Sequence, residues 1–180
     1  MFKKFTREEV HSKTNVKSSV QRSIKSKLVA QFPGLEPVID EVIPKKSQLA
    51  LIKCENRISL FTIDDDILLI QHYDDPFLPS IRLVHRYPEA FPSVRVDRGA
   101  IKFILSGANI MCPGLTSAGA ALPAEPIAKG SVVAITAQGK DSALAVGTLL
   151  MGTDEIKAVN KGVGVEVGSY LGDGLWNFTY

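Results

Sequence analysis

The chain of 180 residues is 45% hydrophobic and 22% charged, an ordinary composition for a soluble globular protein that excludes a disordered or fibrous one. No apolar run approaches the roughly 20 residues of a membrane-spanning helix, and the charged N-terminus lacks the apolar region of a signal peptide. We therefore expect one or two domains in the cytosol or nucleus, with no membrane partner.

The net charge of +2 is unevenly divided along the chain. Residues 1–30 carry eight lysines and arginines against Glu8 and Glu9, an excess of six positive charges, so the remainder is net negative by four. A concentrated basic segment attracts polyanions and releases their counterions, which suits RNA better than a small acidic substrate. The alternative is a solvated helix face that only keeps the protein soluble, and charge alone does not decide between them.

The first third of the chain predicts two helices. Residues 1–5, with two phenylalanines beside two lysines, form an amphipathic start that we expect to dock its aromatic rings on the first domain. A helix with Thr14 or Asn15 as its N-cap and Pro33-Gly34 at its end is predicted from an apolar stripe at four-residue spacing. The stripe consists of Val16, Val20, Ile24 and Leu28. A second, shorter helix is predicted over residues 35–43.

From Gln48 onward the pattern changes to short apolar and β-branched runs, which predict an antiparallel meander. Its strands are predicted over residues 49–54, 58–63 and 67–73. The triplet Asp64-Asp65-Asp66 has the carboxylates that a divalent metal ion requires. Because aspartate is a turn former and the triplet lies between two alternating strands, we interpret it as a hairpin tip and predict no metal site.

Residues 79–92, which are bounded by prolines, are predicted to connect the two halves. Arg82, His85 and Arg86 lie close together on this element, and His85 would either contact phosphate or make a structural hydrogen bond. A second predicted concentration of positive charge, at the junction of the halves, consists of these three residues with Arg95, Arg98 and Lys102.

The stretch DRGAIKFILSGANIMCPGLT begins at Asp97, which can cap a short helix with its apolar face within residues 100–105. Gly107 can end that helix in the left-handed conformation. Residues 108–112 then fit a buried strand, which Pro113-Gly114 would close with a type II turn. Apolar alternation over residues 101–105 also allows a strand, so periodicity alone leaves this segment open.

The remaining chain predicts short strands with glycine-rich corners, which are typical of a small, partly closed β-barrel. These strands are predicted over residues 131–137, 143–150, 162–167 and 174–178. The first two form a hairpin around residues 138–140, after a loop over residues 117–129, and Thr153 caps a predicted helix through Val159. The fold prediction is α+β, an N-terminal α/β domain with an antiparallel sheet, residues 1–92, followed by a small β-barrel with short helices, residues 93–180.

No catalytic motif is present. The chain lacks a G-x-S-x-G nucleophile elbow, a Walker-type phosphate loop and a two-histidine zinc motif, so we predict no enzyme, cofactor or metal site. Cys54 and Cys112 are far apart in apolar or mixed segments, and we interpret both as reduced structural residues.

Several segments resemble a known family. One pattern consists of Ala100-Ile101, Leu105, Ser106-Gly107-Ala108-Asn109 and Pro113-Gly114. It resembles the core of a PUA domain, the small RNA-binding module of pseudouridine synthases and archaeosine transglycosylases. This resemblance favours helix over strand for residues 101–105. The whole chain resembles the malignant T-cell-amplified sequence proteins, known in fungi as translation machinery-associated proteins, through MFKKF at Met1, IPKK at Ile43, RLVHRYP at Arg82 and GLW at Gly174.

The resemblance implies a non-enzymatic, cytoplasmic translation factor. Members of the family pair with the density-regulated protein and sit on the small ribosomal subunit, where the PUA domain faces the acceptor end of a tRNA. The pair removes deacylated tRNA after termination, which is part of ribosome recycling, and supports reinitiation. Two alternatives remain open: an RNA-binding accessory subunit of a tRNA or rRNA modification complex, and a protein adaptor that binds no RNA.

The resemblance also assigns residues. Those expected to approach the tRNA are Arg98, Lys102, Ser106, Gly107, Ala108, Asn109, Pro113, Gly114 and Trp176. Those expected to contact ribosomal RNA are Lys3, Lys4, Arg7, Lys13, Lys17, Arg82, His85 and Arg86. Residues 106–109 would present backbone N–H groups to phosphate. The predicted terminal strand would place Trp176 near the same cleft, either stacked on a base or in the barrel core.

Overall fold

The computed structural model describes residues 1–180 and contains two five-stranded sheets. The first sheet consists of β1 (Val10–Asn15), β2 (Ala50–Cys54), β3 (Ile58–Ile63), β4 (Asp66–His72) and β5 (Leu78–Pro79). These strands lie in sequence order and every neighbouring pair is antiparallel. The predicted meander is confirmed, and one further strand extends it at each edge.

The second sheet curls into a half-barrel, which confirms the predicted α+β class with a small, partly closed barrel in the second half. It consists of β6 (Ser93–Val96), β7 (Ile110–Met111), β8 (Val132–Ala137), β9 (Ala145–Leu149) and β10 (Val163–Tyr170). Its spatial order is β6-β8-β9-β10-β7, and only β6 and β8 pair in parallel.

Six α-helices cover parts of these sheets, and only one exceeds two turns. They are α1 (Ser18–Gln31), α2 (Ile39–Val42), α3 (Ile81–Arg86), α4 (Ile101–Ile104), α5 (Pro113–Thr116) and α6 (Thr153–Val159). Short 3-10 segments lie at Arg7–Glu9, Pro33–Val38, Glu55–Arg57, Pro88–Ala90 and Arg98–Ala100. None of the helices has the length and apolar character that crossing a membrane requires.

Two hydrophobic clusters hold the fold together. The larger has 27 buried residues, most of them from the first sheet and the helices beside it, and the smaller has 16 inside the half-barrel. The larger cluster also includes Val132, Ala134 and Val146 of the half-barrel and Leu175 of the C-terminal segment. The two sheets therefore pack against each other. The division into domains of residues 1–92 and 93–180 stays a prediction.

The start of α1 differs from the prediction. Thr14 and Asn15 belong to edge strand β1, and Lys17 is the N-cap, without a side-chain hydrogen bond. The side chain of Val20 is 47% exposed, whereas Gln21 is buried. A helix has 3.6 residues per turn, so a strict four-residue spacing drifts away from the buried face.

The central stretch forms a helix, as the resemblance indicated. Asp97 caps it by accepting a hydrogen bond from the backbone N–H of Ala100 at 3.0 Å. Gly107 has φ 94°, which confirms the left-handed residue after the helix. The predicted type II turn is wrong, because Pro113 is the first residue of α5, a position where its fixed φ and missing N–H are favourable.

Two smaller predictions have different outcomes. The aspartate triplet is a hairpin tip as predicted, with Asp64 and Asp65 in the left-handed conformation between β3 and β4. Thr153 is not the cap of α6, because Gly152 occupies that position. The Thr153 hydroxyl instead accepts a hydrogen bond from the N–H of Ile127 at 2.9 Å and so anchors the preceding loop.

The C-terminal segment is a series of turns, so the strand predicted over residues 174–178 is wrong. Asp173 is buried, and its carboxylate accepts hydrogen bonds from the Ser169 hydroxyl at 2.8 Å and from the N–H groups of Tyr170 at 3.1 Å and Trp176 at 2.8 Å. Because these donors precede and follow Asp173 in the sequence, its carboxylate draws the chain into a turn, so the segment cannot be an extended strand.

The two ends of the chain meet on the first sheet's cluster. Phe2 is buried there, which confirms that the amphipathic start docks on the first half. The N–H of Gly174 donates to the carbonyl of Phe2 at 2.7 Å, and the rings of Phe5 and Phe178 pack edge to face at 4.9 Å. A Cβ on Gly174 would lie 2.3 Å from the backbone nitrogen of Phe5, so this crossing requires glycine.

Both cysteines are buried and unpaired, in agreement with a reduced structural role. Burial, helped by the charge of Glu9, raises the pKa of the Cys54 thiol to about 11. Because the thiolate is the reactive form, we expect Cys54 of the folded protein to resist iodoacetamide at neutral pH and to react after unfolding in urea. Mass spectrometry of labelled peptides measures this, and rapid labelling of Cys54 in the folded chain would contradict it.

Candidate nucleic-acid interface

The glycine corner, residues 106–109, is held in place by its own hydrogen bonds. The N–H of Gly107 donates to the carbonyl of Ile104 at 2.9 Å, and the N–H of Ala108 donates to the carbonyl of Phe103 at 3.0 Å. The hydroxyl and N–H of Ser106 also donate to Phe103. The prediction that this corner presents free N–H groups to phosphate is therefore wrong for these three residues.

Asn109 ties the corner to the half-barrel, since its side-chain oxygen accepts a hydrogen bond from the N–H of Val167 at 3.0 Å. Gly107 faces the ring of Tyr170, where an ideal Cβ would make ordinary van der Waals contact at 3.4 Å, so its left-handed φ is what favours glycine. The corner is therefore a fixed surface with small side chains, which lets another molecule come near the backbone.

Beside the corner lies an apolar depression of about 550 Å³. Its lining residues are Asp97, Gly99, Ala100, Phe103, Ile104, Ala108, Asn109, Ile110, Met111 and Gly114. Phe103 and Met111 are 57% and 49% exposed, which is high for large apolar side chains. An exposed aromatic ring over an apolar floor offers a stacking surface to an unpaired nucleobase. Sequence reasoning missed Phe103, because a phenylalanine in an apolar run is usually a core residue.

A basic depression adjoins this surface and is lined by Arg98, Lys102 and Lys140, together with Gly99, Ile101 and Leu105. The Lys102 ammonium lies 5.1 Å from the centroid of the Phe103 ring, so Lys102 is close to the aromatic ring and also lines the basic depression. Arg98 and Lys102 are thus brought together as predicted, and the fold adds Lys140 from the turn between β8 and β9.

Pro113 and Gly114 contribute differently. Gly114 lines the apolar depression, and its carbonyl accepts a hydrogen bond from the N–H of Asp97 at 3.2 Å. Pro113 is an exposed residue at the start of α5. Gly114 therefore helps to fix the segment that carries Phe103 and Lys102, whereas Pro113 begins α5.

Trp176 contacts α3, so the predicted position in the cleft near the glycine corner is not what the structure shows. The Arg82 guanidinium lies over its ring at 3.8 Å and donates a hydrogen bond to its carbonyl at 3.1 Å. The His85 ring packs edge to face against it at 5.9 Å. Trp176 is neither in the barrel core nor beside the apolar depression, because the turn at Asp173 directs the chain toward the first sheet.

The cations of α3 are engaged within the protein. His85 makes a structural hydrogen bond, with Nε2 at 2.7 Å from the carbonyl of Ala143, and Arg86 lies 3.8 Å from a carboxylate oxygen of Asp66. Arg95, which was grouped with them, donates to the carbonyl of Gly119 at 3.1 Å. The predicted basic concentration at the junction is thus divided among separate intramolecular contacts.

The N-terminal cations fall into two groups. Lys13 pairs with Asp65 at 2.6 Å, and both Lys13 and Arg7 lie over the ring of Tyr180, at 4.3 and 4.9 Å. The other group is exposed and makes no ion pair, and it consists of Lys3, Lys4 and Lys17. The second group is the freer of the two for an external polyanion.

Comparison with known proteins covers the whole chain. Residues 4–88 match the Pre-PUA-like domain family and residues 92–171 match the PUA domain family. Translation machinery-associated protein 20 of Saccharomyces cerevisiae is 62% identical over 180 residues, 99% of each chain. Malignant T-cell-amplified sequence 2 of Homo sapiens is 48% identical over 98% of this chain and 97% of its own.

Solved structures agree on the fold. A hypothetical protein of Pyrococcus horikoshii superimposes with a TM-score of 0.76 and 23% identity, covering 94% of this chain and 100% of that one. A conserved PUA domain protein from Thermoplasma acidophilum gives a TM-score of 0.66 with 22% identity over 91% and 97%. Because the sequence identity to translation machinery-associated protein 20 and its human relative extends over nearly all of each chain, the protein belongs to the family of the translation machinery-associated and malignant T-cell-amplified sequence proteins.

Proposed function

We propose that the protein is a non-enzymatic, RNA-binding translation factor of the cytoplasm. It binds the small ribosomal subunit together with a homologue of the density-regulated protein, promotes removal of deacylated tRNA after termination, and supports reinitiation. The observation that carries this proposal is the 62% identity, over 99% of both chains, to a protein named for its association with the translation machinery.

The apolar and basic depressions support a contact with the acceptor end of a tRNA. That end is single-stranded, so its bases are free to stack on an exposed ring such as Phe103. Arg98, Lys102 and Lys140 line the adjoining basic depression, which supports a contact with the attached phosphates. The half from residue 93 onward has seven basic and seven acidic residues, so its electrostatic attraction to RNA is weak without the first half or a partner.

Sedimentation with small ribosomal subunits across a salt series tests the proposal. We expect the purified chain to pellet with the subunits at low salt, and the density-regulated partner to strengthen that binding. Large subunits serve as the matched control and should bind more weakly. Absence of binding to small subunits, with and without the partner and with the protein folded, would contradict the proposal and favour the accessory subunit of an RNA-modification complex.

A further inference from the structure

A basic groove runs along the first half of α1. None of its lining residues is among those expected to contact tRNA or ribosomal RNA. We call it the α1 groove. It is lined by the cations Arg22, Lys25 and Lys45 and by polar residues that include Ser18, Ser26 and Gln48. Its volume is about 490 Å³, and none of its eight lining residues is hydrophobic.

The α1 groove carries a net positive charge. Arg22 and Lys25 come from α1, whereas Lys45 comes from the segment that follows α2, so the fold assembles the three cations from two elements. The carboxylate beside them is Asp40, which accepts a hydrogen bond from Lys25 at 2.7 Å. That hydrogen bond, together with the charges of Lys25 and Lys45, lowers the pKa of Asp40. Three cations against one carboxylate leave an excess of two positive charges.

The two walls of the groove are tied together by Gln21, which is buried between them. Its side-chain nitrogen donates to the carbonyl of Ser47, and its side-chain oxygen accepts from the N–H of Leu49, both at 3.1 Å. The Ser47 hydroxyl donates to the carbonyl of Pro44 at 2.6 Å. The groove is therefore already formed in the free protein, so a ligand need not order it.

The chemistry of the lining decides between a protein and a nucleic acid as the ligand. Protein interfaces are anchored by apolar and aromatic side chains and are depleted in lysine, and the α1 groove has no apolar lining residue. Contacts to a nucleic-acid backbone are made by arginine, lysine, serine and glutamine side chains, the residue types found here. We propose that the α1 groove binds the phosphate backbone of RNA, and the identification of that RNA as ribosomal rests on the proposed function.

Direct RNA binding tests the groove. The full-length R22A/K45A variant removes its two cations that have no ion pair, and K129A/K157A removes two exposed cations elsewhere as the matched control. Binding of a labelled oligouridylate is measured by fluorescence anisotropy across a salt series. We expect R22A/K45A to lose affinity roughly tenfold at low salt and to flatten the salt dependence by about 0.7 per lost contact, with little change in the control.

A second variant gives the opposite change. D40N removes the carboxylate beside the groove, so we expect tighter oligouridylate binding and a steeper salt dependence, which a folding defect would not produce. Equal oligouridylate affinity of R22A/K45A and its control would overturn the proposal that the α1 groove binds RNA. The proposal would also fail if R22A/K45A lost binding to the partner but kept its oligouridylate affinity. Sedimentation tests separately whether the RNA is ribosomal. If the unmodified chain fails to bind small subunits while R22A/K45A still weakens oligouridylate binding, the proposed function is refuted. The proposal that the α1 groove binds RNA is then retained.

Discussion

Replacing Asp173 with alanine is expected to lower the free energy of unfolding by about 3–5 kcal/mol, because a buried hub of hydrogen bonds is lost. The Asp173 side chain is 1% exposed and accepts three hydrogen bonds, two of them from backbone N–H groups. Alanine leaves the N–H groups of Tyr170 and Trp176 without these acceptors. Urea unfolding followed by circular dichroism measures the change.

The exposed Asp141 provides a matched control, and D141A should alter the free energy of unfolding by less than about 0.5 kcal/mol. Trp176 is the single tryptophan and its ring packs against Arg82 and His85, so its fluorescence reports on the contact of the C-terminal segment with α3. In D173A we expect the fluorescence transition to occur at lower urea than the circular dichroism transition, since the segment detaches first. A D173A protein as stable as D141A would show that the carboxylate does not hold this segment.

Much of the fold could be predicted from local patterns. The strands β2, β3 and β4 consist of alternating or continuous apolar residues between clear turn residues. The hairpin at Asp64 and Asp65 is predictable because aspartate favours turns. Edge strand β1 carries polar residues on most positions, so nothing in its sequence distinguishes it from the approach to a helix. Its pairing with β2 is a long-range contact that only the folded chain reveals.

The candidate surfaces were less predictable, for two physical reasons. Lys140 becomes a neighbour of Lys102 only when α4 and the turn after β8 meet, and the exposure of Phe103 depends on packing that an apolar run does not reveal. Arg22 and Lys45 are distant in sequence and converge through Gln21. Charge counting identified an excess in the first 30 residues, but it did not separate Lys13, which is paired, from Arg22, which is free.

The Lys102→Glu substitution is expected to reduce release of deacylated tRNA from post-termination small subunits roughly ten- to hundredfold at limiting protein. The expected loss is that of a hydrogen bond to a charged group, about 1.5–3 kcal/mol, and the introduced carboxylate also repels phosphate. Lys102 is exposed, lines the basic depression with Arg98 and Lys140, and lies near the ring of Phe103, so a single reversal changes the charge of that depression and the charge beside the ring. Release is measured with labelled tRNA in the presence of the density-regulated partner.

A matched reversal at the exposed Lys157 of α6, K157E, changes the net charge by the same amount away from the depressions and should leave release nearly unchanged. Partner binding, measured by pull-down, should be equal in both variants, which would separate the loss of a tRNA contact from the loss of the partner. Raising the salt concentration should narrow the difference between K102E and the unmodified protein, since screening weakens both attraction and repulsion. Normal release by K102E would remove Lys102 from the tRNA contact, whereas equal loss in both variants would trace the effect to overall charge.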